Sequence, residues 1–374
     1  MDLRALTSTM IGYDFPVSEE VAPAVDLVGQ SLKLARMKDA KGSTPERRYF
    51  VDLNEYHALP YSEAPTTETG VGEGLFLTSS LDSIPSMDRT PDARLCECAS
   101  DSGQWHINYS TEQTLGYGRY SRVFLGQMHR LADVKRYVKV ALKVHQNDAE
   151  SQAEAENEVA MLRYLEGVAG VIHLFDTCNH GMTLLLQCSE EGSLASRIFS
   201  NAELTKKQIM QWFHDLFTAL KLTEERKVLH LDLKPHNLLF IDKHLVLSDF
   251  GSALRLPALR TATRSKGTLG YSAPELLLTC DDCITSTASD VYSAGVTMYS
   301  MLTGREPFSD IDRPGVALVI AIKQGFFSGG HNPWILRPGL QQCETLQGIV
   351  SQCLSMDPTR RPSPDQVLTR LNFE

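Results

Sequence analysis

The apolar residues of this chain change their spacing once, near residue 190. Between residues 107 and 188 most of them form short runs with the length of β-strands. After Gly192 they recur mainly every three or four residues, as apolar residues do along one face of a helix. A β-rich segment of about 80 residues followed by a larger helical one indicates an α+β architecture.

The two patterns predict individual elements. The predicted strands are Thr111–Leu115, Ser121–Met128, Val138–Val144, Val171–Phe175 and Met182–Gln187. The predicted helices are Ala149–Leu165, Leu204–Arg226, Ser289–Leu302, Gly315–Lys323, Cys343–Leu354 and Pro364–Asn372. A further short helix is predicted within Val21–Met37 from its partly helical apolar spacing.

The first hundred residues are more acidic and more polar than the rest. They hold 9 Lys or Arg and 16 Asp or Glu, and Ala58–Asp92 is rich in Ser, Thr, Pro and Gly. Such a composition buries too little apolar surface to offset the entropy that the chain loses on folding. We therefore predict an acidic, mostly disordered arm over residues 1–106 and a folded domain over residues 107–374.

Charge and hydropathy exclude several classes of function. The 374 residues carry a formal net charge of −10, so we expect no nucleic-acid partner. No run of about 18 apolar residues occurs, which predicts no membrane-spanning helix and no membrane partner. Residues Met1–Met10 lack the basic and apolar regions of a signal peptide, so we expect an intracellular protein, cytoplasmic, nuclear or both.

The eight cysteines are too few for a disulfide scaffold in a chain of this length, and we interpret them as reduced thiols. Two close pairs, Cys96 with Cys98 and Cys280 with Cys283, have a spacing seen in zinc sites. A tetrahedral site would need these pairs to meet or to recruit histidines, and we expect no zinc.

Two motifs in the β-rich segment are weak when each is taken alone. Gly116–Val123 contains two glycines between strands, and glycine lets the backbone approach a phosphate closely. No helix follows directly and no Gly-Lys-Ser/Thr closes the loop, so neither a Rossmann fingerprint nor a P-loop is present. Lys143 ends the apolar run Val140–Leu142, and Glu154 and Glu158 follow on the next predicted helix. Either carboxylate could pair with Lys143.

The segment His230–Asn237 is more specific, because it holds Asp232, Lys234 and Asn237 within six residues. A base, a cation and a metal ligand at this spacing suit the chemistry of a phosphoryl group. Asp249-Phe250-Gly251 begins twelve residues after Asn237, and Gly267–Glu275 follows.

In this order and spacing the motifs resemble the eukaryotic protein kinase family. Further matches are Gly192–Leu194, Asp290–Gly295, Leu302–Gly304, Pro307-Phe308 and Asp357–Pro362, so the resemblance covers about residues 108–371. It implies a bilobal protein-kinase-like fold, with a small β-rich N-lobe over about 107–188 and a larger α-helical C-lobe over about 189–374. ATP and Mg²⁺ are the implied cofactors.

The resemblance also assigns roles. It implies that Asp232 accepts the proton of the substrate hydroxyl, that Lys234 steadies the phosphoryl group, and that Asn237 and Asp249 hold Mg²⁺. Lys143 would pair with the ATP phosphates, held by Glu158 rather than by its rival Glu154. The implied nucleotide-binding residues are Leu115, Gly116, Tyr117, Gly118, Arg119, Tyr120, Ser121, Val123, Ala141, Lys143, Gln187, Ser189 and Leu239.

Three features of the sequence bear on the expected regulation of the kinase-like domain. Leu231 stands where the family commonly has an Arg that grips a phosphate on the activation loop. We therefore expect activity without strict dependence on phosphorylation of that loop. The loop is basic and has no acid between Asp249 and Glu275, so an acidic partner, or the acidic arm itself, could order it. Thr44-Pro45 and Thr90-Pro91 are candidate phosphorylation sites in the arm.

Lys234-Pro235, with Gly267–Glu275, resembles serine/threonine kinases rather than tyrosine kinases. The leading interpretation is a serine/threonine protein kinase that acts on protein Ser/Thr hydroxyls, with a regulatory partner for the arm. The alternative is an ATP-binding pseudokinase that acts as a scaffold or allosteric partner. In a third interpretation the arm carries the main function and the folded domain is its carrier.

Overall fold

The structure is a computed structural model and describes 95–200, 203–257, 267–277, 285–309, 316–325, 327, 336–337, 340 and 344–371. The predicted helix Val21–Met37 and almost all of the predicted arm lie outside these residues. So do the pair Cys280 and Cys283 and most of the activation loop, 258–266.

The N-terminal lobe is a six-stranded antiparallel sheet in the order β1-β2-β3-β4-β6-β5. Its strands are β1 Leu95–Ala99, β2 Trp105–Tyr117, β3 Ser121–Arg130, β4 Asp133–His145, β5 Leu174–Cys178 and β6 Thr183–Gln187. The sheet contains the strands predicted near residues 111, 121, 138 and 182, and three of these extend beyond the predicted limits. The longest register, β3 with β4, runs from Ser121 opposite His145 to Arg130 opposite Asp133.

The N-terminal sheet begins before residue 107, where the folded domain was predicted to start. Strand β1 precedes it and pairs along its whole length with β2. The turn between them is closed by hydrogen bonds of Ser100 N to Trp105 O (2.9 Å) and of Gly103 N to Ser100 O (2.9 Å). Because β1 is only five residues long and carries two cysteines and a glutamate, its sequence lacks a strong strand pattern.

The predicted strand Val171–Phe175 is displaced, because the structure forms β5 three residues later. Residues before it bond instead to the C-terminal lobe: Ile172 N donates to Leu247 O (2.9 Å), and Leu247 N donates to Gly170 O (2.8 Å). Gly170 has φ of +76°, and a Cβ there would lie 2.8 Å from Cβ of Ala219. The glycine therefore permits both the turn and the close approach.

Helix α1, Ala149–Tyr164, packs against the sheet and begins at an N-cap. The Asp148 carboxylate accepts hydrogen bonds from the backbone N–H groups of Glu150 (3.0 Å) and Ser151 (2.9 Å). Val159 and Leu162 are buried, as their helical spacing predicts. Glu158 is buried on the same helix, so one carboxylate is directed inward with the apolar residues.

The C-terminal lobe is mainly helical. Its α-helices are α2 Leu194–Ile198, α3 Lys206–Glu225, α4 Thr287–Thr303, α5 Val316–Lys323, α6 Glu344–Cys353 and α7 Pro364–Leu371. Short 3₁₀ helices span Pro235–Asn237, Leu269–Tyr271, Pro274–Leu277 and Pro358–Arg360. Two small antiparallel pairs join β7 Val228–Leu229 to β10 Leu254–Arg255 and β8 Leu238–Ile241 to β9 His244–Leu247. The helices predicted in this lobe after residue 204 are all present.

The described residues contain two apolar cores, and the larger one spans both lobes. The smaller lies within the N-terminal sheet and contains Ile107, Phe124, Met128, Val140, Leu142, Cys178 and Leu185. The larger runs from α1 through the C-terminal lobe and is centred on the α3 and α4 side chains, including Phe213, Phe217 and Tyr292. The α+β fold with a β-rich N-lobe and a helical C-lobe is therefore confirmed.

No helix among the described residues is long and apolar enough to cross a membrane.

Candidate active site

Lys143 lies between two carboxylates at the junction of the lobes. Its Nζ is 2.6 Å from Oε2 of Glu158 on α1 and 2.7 Å from Oδ1 of Asp249. The Lys143 and Glu158 side chains are almost wholly buried, whereas about a third of Asp249 is exposed. The rival carboxylate, Glu154, instead lies beside Gly251. A Cβ atom added to Gly251 would lie 2.5 Å from Cγ of Glu154. Strand β4, helix α1 and the segment after β9 are thus joined at one ammonium group.

The charges of these groups are coupled. Burial alone would lower the pKa of Lys143, but the Asp249 and Glu158 carboxylates raise it above its ordinary value. Burial would raise the pKa of Asp249, but the Lys143 ammonium outweighs it and holds that pKa below its usual range. Burial holds the pKa of Glu158 above its ordinary value, against the attraction of Lys143. Lys143 therefore stays charged at neutral pH.

Asp232 is the centre of a second cluster. Its Oδ2 accepts hydrogen bonds from Lys234 Nζ (2.9 Å) and Asn237 Nδ2 (3.0 Å). Its Oδ1 accepts from the backbone N–H (2.8 Å) and the hydroxyl (2.9 Å) of Thr268. Lys234 Nζ also lies 2.7 Å from the Thr268 hydroxyl oxygen. Four donors therefore orient one partly exposed carboxylate.

Asp290 of α4 anchors the loop that carries Asp232. The buried Asp290 carboxylate accepts hydrogen bonds from the backbone N–H groups of His230 (2.7 Å) and Leu231 (2.9 Å). Leu231 has φ of +63°, which is a strained conformation for a leucine. A Cβ on Gly267 would lie only 2.4 Å from Leu231 O, so the approach of the two loops requires glycine there.

A stack of side chains connects the two lobes beside this loop. The rings of His230 and Phe250 are 4.8 Å apart, and Leu162 and Leu174 pack in the same core. His230 Nε2 is 2.9 Å from Ser248 O.

The Gly-rich segment forms the hairpin between β2 and β3. Gly118 N donates to Ser121 O (2.8 Å), and Gly116 pairs in register with Val123. Leu115 and Tyr117 are each about half exposed, and the Arg119 guanidinium stacks 5.0 Å from the centre of the Tyr120 ring. The hairpin thus presents backbone groups and exposed side chains at one end of β2 and β3.

The apolar residues among the predicted nucleotide-binding residues come from both lobes. Val123 and Ala141 come from the sheet and Leu239 from β8, and all three contact or belong to the larger core. Gln187 N donates to His173 O (2.9 Å). The Ser189 hydroxyl donates to Gly192 O (2.9 Å) and Phe240 O (2.7 Å), which ties the segment between the lobes to the C-terminal lobe.

Comparison with known proteins agrees with this geometry. The family model described as protein kinase domain matches residues 109–372. The chain belongs to the protein kinase family.

Among relatives, the ovarian-specific serine/threonine-protein kinase Lok of Drosophila melanogaster is 29% identical over 276 residues, covering 70% of this chain and 55% of its own. The carbon catabolite-derepressing protein kinase of Saccharomyces cerevisiae is 28% identical over 267 residues, covering 70% of this chain and 40% of its own. Calcium-dependent protein kinase 13 of Arabidopsis thaliana is 27% identical over 273 residues, with coverage of 70% and 48%. The chain thus spans about half or less of these relatives.

Two residues of this kinase domain were missed by sequence reasoning. Thr268 lies within the motif Gly267–Glu275, and only the structure shows its contacts with Asp232 and Lys234. Asn157 belongs to none of the sequence motifs, yet its Nδ2 lies 2.9 Å from both Gly251 O and Ala253 O and 3.3 Å from Phe250 O. Its position one residue before Glu158 was the only signal available.

The residues expected to hold Mg²⁺ in this kinase domain have suitable donor atoms. The hydrogen bonds of Asn237 use Nδ2, and the ion pair of Asp249 uses Oδ1, which leaves an amide and a carboxylate oxygen. Ser248 N and Oγ both donate to Asn237 O, at 2.9 and 3.1 Å, so the two ligand-bearing segments are joined. Carboxylate and amide oxygens are ligands that Mg²⁺ prefers, so the residues fit the ion.

Proposed function

We propose that this chain is a serine/threonine protein kinase that transfers the γ-phosphate of ATP to Ser or Thr hydroxyls of a protein substrate. The observation that carries the proposal is the Asp232 carboxylate held by Lys234, Asn237 and Thr268. A kinase needs one acceptor for the hydroxyl proton and one cation at the transferring group, fixed relative to each other. Asp232 and Lys234, 2.9 Å apart, meet both requirements.

In this proposal Asp232 accepts the proton of the attacking hydroxyl. Its carboxylate is oriented by four donors, so little reorganisation is needed when the substrate binds. Lys234 lies between Asp232 and Thr268, where its charge can stabilise the negative oxygens of the moving phosphoryl group. Asp290 holds the loop by two backbone hydrogen bonds and thereby fixes the position of Asp232.

Lys143 is proposed to bind the α- and β-phosphates. It already has Glu158 as a buried counter-ion, which orients the ammonium group. Val123, Ala141 and Leu239 would enclose the adenine ring, and Gln187 and Ser189 would present backbone groups to its edge. The hairpin Leu115–Ser121 would cover the phosphates.

Asn237 and Asp249 would hold Mg²⁺ through the oxygens left by their hydrogen bonds. The ion, when bound with ATP, neutralises charge on the β- and γ-phosphates as the phosphoryl group leaves. The chain itself contributes the anchoring of Asn237 by Ser248 and the ionised Asp249 carboxylate, whose pKa lies below its usual range beside Lys143.

The proposal includes the setting in which the enzyme acts. We propose an intracellular kinase with a Ser- or Thr-containing protein as substrate and with a regulatory partner for the acidic arm. The acidic composition of the first hundred residues supports an arm that binds a basic surface.

The test is transfer of labelled γ-phosphate from Mg²⁺-ATP to a mixed Ser/Thr protein substrate and, separately, to a polymer whose only acceptor is Tyr. We expect label on the first and not on the second. Asp232→Asn and Asp249→Asn should each reduce the transfer by at least about a thousandfold, because one removes the proton acceptor and the other a metal ligand.

The matched control is Asp242→Asn, which makes the same change in the exposed turn between β8 and β9. This variant should keep the activity of the parent. Absence of transfer from a chain that still binds ATP, measured by a nucleotide-dependent rise in melting temperature, would contradict the proposal. Undiminished transfer by Asp232→Asn would contradict the role given to that residue.

A further inference from the structure

The two edges of the N-lobe sheet come together at a seam made by the β1–β2 turn and β5. The sheet order places β1 at one edge and β5 at the other. Asp101 N nevertheless donates to Thr177 O (2.6 Å), and the Thr177 hydroxyl donates to the Asp101 carboxylate (2.7 Å). The same carboxylate accepts from the backbone N–H groups of His180 (3.1 Å) and Gly181 (3.0 Å). The curled sheet is thus closed around its own apolar core.

Two cysteines face each other across this seam. Sγ of Cys98 on β1 is 3.6 Å from Sγ of Cys178 at the end of β5. Both are free thiols in the structure, and both belong to or pack against the core inside the sheet. A disulfide requires a sulfur–sulfur distance of about 2.05 Å, so an approach of about 1.5 Å is needed.

We propose that Cys98 and Cys178 are a redox-sensitive pair, which a peroxide converts into a disulfide that joins the two edges of the N-lobe sheet. The inference does not depend on the proposed function, because it rests on the seam alone. Strand β1 precedes the residues matched by the family model, so Cys98 lies outside the matched range and Cys178 lies within it.

The chemistry takes place in two steps. The Cys98 thiolate attacks one oxygen of hydrogen peroxide, which breaks the O–O bond, forms the sulfenic acid and releases hydroxide. The Cys178 sulfur then attacks the Cys98 sulfur, its proton leaves with the sulfenic hydroxyl as water, and the disulfide forms. Two thiols lose two electrons in total, and one peroxide is reduced to two molecules of water.

The surroundings of the two thiols favour this order of events. Cys98 is partly exposed, whereas Cys178 is 2% exposed, so peroxide reaches Cys98 first. The hydrogen bond with Cys178 lowers the pKa of the Cys98 thiol, which increases its thiolate fraction. The same contact and burial raise the pKa of the Cys178 thiol. Cys98 is therefore the reacting thiol and Cys178 the resolving one.

Cys96 provides a matched control two residues earlier on the same face of β1. It lies opposite Tyr109 in the register with β2, and Cys98 lies opposite Ile107. If exposure alone determined which cysteine reacts, Cys96 would be modified as readily as Cys98. If the contact across the seam determines it, Cys98 becomes linked to Cys178 and Cys96 stays out of the linkage.

The experiment uses the full chain, treated with hydrogen peroxide at pH 7.5 and then alkylated and digested. Mass spectrometry should find the peptides of Cys98 and Cys178 joined, with a loss of two hydrogens. Cys96→Ser should form the same linkage to the same extent. Cys98→Ser should form none, and Cys178→Ala, which removes the resolving thiol, should accumulate the sulfenic acid at Cys98, trapped by dimedone.

The second measurement is the melting temperature before and after oxidation. A disulfide that closes a loop of about 80 residues should raise it by about 5 °C, and dithiothreitol should reverse the rise. Cys98→Ser, which replaces a partly exposed side chain, should fold normally and show no rise. Absence of the Cys98–Cys178 linkage, a linkage that uses Cys96 equally, or the same rise in Cys98→Ser would each overturn the inference.

Discussion

Thr268 binds both charged groups at the centre of the candidate active site through one hydroxyl. That hydroxyl lies 2.9 Å from Asp232 Oδ1 and 2.7 Å from Lys234 Nζ. Thr268→Ala leaves the Asp232 carboxylate without one of its four donors and frees Lys234 from one contact. We expect kcat/KM to fall by about 10- to 100-fold, equivalent to about 1.4–2.7 kcal/mol of transition-state stabilisation. Steady-state kinetics on a Ser/Thr substrate measures this.

Thr268→Ser is the control, because it keeps the hydroxyl and removes only a methyl group. It should retain activity within about threefold of the parent. If serine and alanine are equally impaired, the hydroxyl is not the important group and packing of the methyl is.

His145 is a buried histidine next to the Lys143–Glu158 pair. Its side chain has no exposed surface, and Nε2 is 3.8 Å from Glu158 Oε2. Burial first, and the Lys143 charge second, lower its pKa to about 4. The folded pKa lies below the unfolded value of about 6.5, so the unfolded state binds the proton more strongly between these values. Stability from this group is therefore present above pH 6.5 and is lost as the pH falls towards 4.

We predict that His145→Gln reduces the loss of unfolding free energy between pH 7 and pH 5 by about 1–2 kcal/mol. Urea unfolding of both proteins at the two pH values measures the difference. Burial also lowers the pKa of His236 to about 4, and this group, which the variant keeps, should continue to destabilise the fold at low pH. An unchanged pH dependence in His145→Gln would show that His145 does not titrate in this range.

Asn157 joins helix α1 to the segment after Asp249. The Asn157 amide donates to three backbone carbonyls, those of Phe250, Gly251 and Ala253. Asn157→Ala should loosen that segment relative to the helix, lower the unfolding free energy by about 1–2 kcal/mol, and lower kcat/KM by about five- to tenfold. Gln152→Ala, an exposed change on the same helix, should do neither. Equal effects of the two variants would contradict the role of Asn157.

The activation loop lacks the usual partner for a phosphate, because Leu231 precedes Asp232. Leu231 is instead held by its backbone N–H to Asp290. We predict that replacing Thr261, Thr263 and Ser265 together by alanine leaves at least about a third of the parent kcat/KM in the kinetic assay. Loss of all activity would show that phosphorylation of this loop is required.

The C-terminal lobe contains a buried ion pair between two residues that lie 86 positions apart in the sequence. Arg361 donates to both Glu275 oxygens, at 2.6 and 2.8 Å, and also to the carbonyls of Ala288 and Ser355. Arg361→Ala removes the guanidinium charge and its two hydrogen bonds from the largely buried Glu275 carboxylate. We predict a loss of about 3–5 kcal/mol of unfolding free energy.

Arg360→Ala is the matched control, because this neighbouring arginine is exposed. It should change the unfolding free energy by less than about 0.5 kcal/mol. Chemical denaturation measures both variants, and a cost below about 1 kcal/mol for Arg361→Ala would contradict a structural role. The kinetic constants of the folded fraction should remain close to those of the parent.

Much of the molecule was predictable from the sequence because its signals are local. Six of the seven described α-helices, all except α2, depend on apolar spacing over a few residues, and so do the strands near residues 121 and 138 and the order of the motifs. Strand β1 was not predictable in this way, because its own five residues lack a strand pattern. Its pairing with β2 and the contact of the β1–β2 turn with β5 fix its position instead. The predicted position of β5 was also wrong, because residues 170–172 form hydrogen bonds with β9 in the other lobe.

The sequence by itself determined the fold class and the groups available for chemistry. Spacing alone left both Glu154 and Glu158 open as partners of Lys143, although the family resemblance favoured Glu158, which the structure places there. The sequence did not show that Thr268, Asp232 and Lys234 share one network of hydrogen bonds. It also contained no sign that Cys98 lies beside Cys178, eighty residues later. These are contacts between distant parts of the chain. The atoms come within hydrogen-bond distance only because α1 packs on the sheet, the loops pack on α4, and the β1–β2 turn packs on β5.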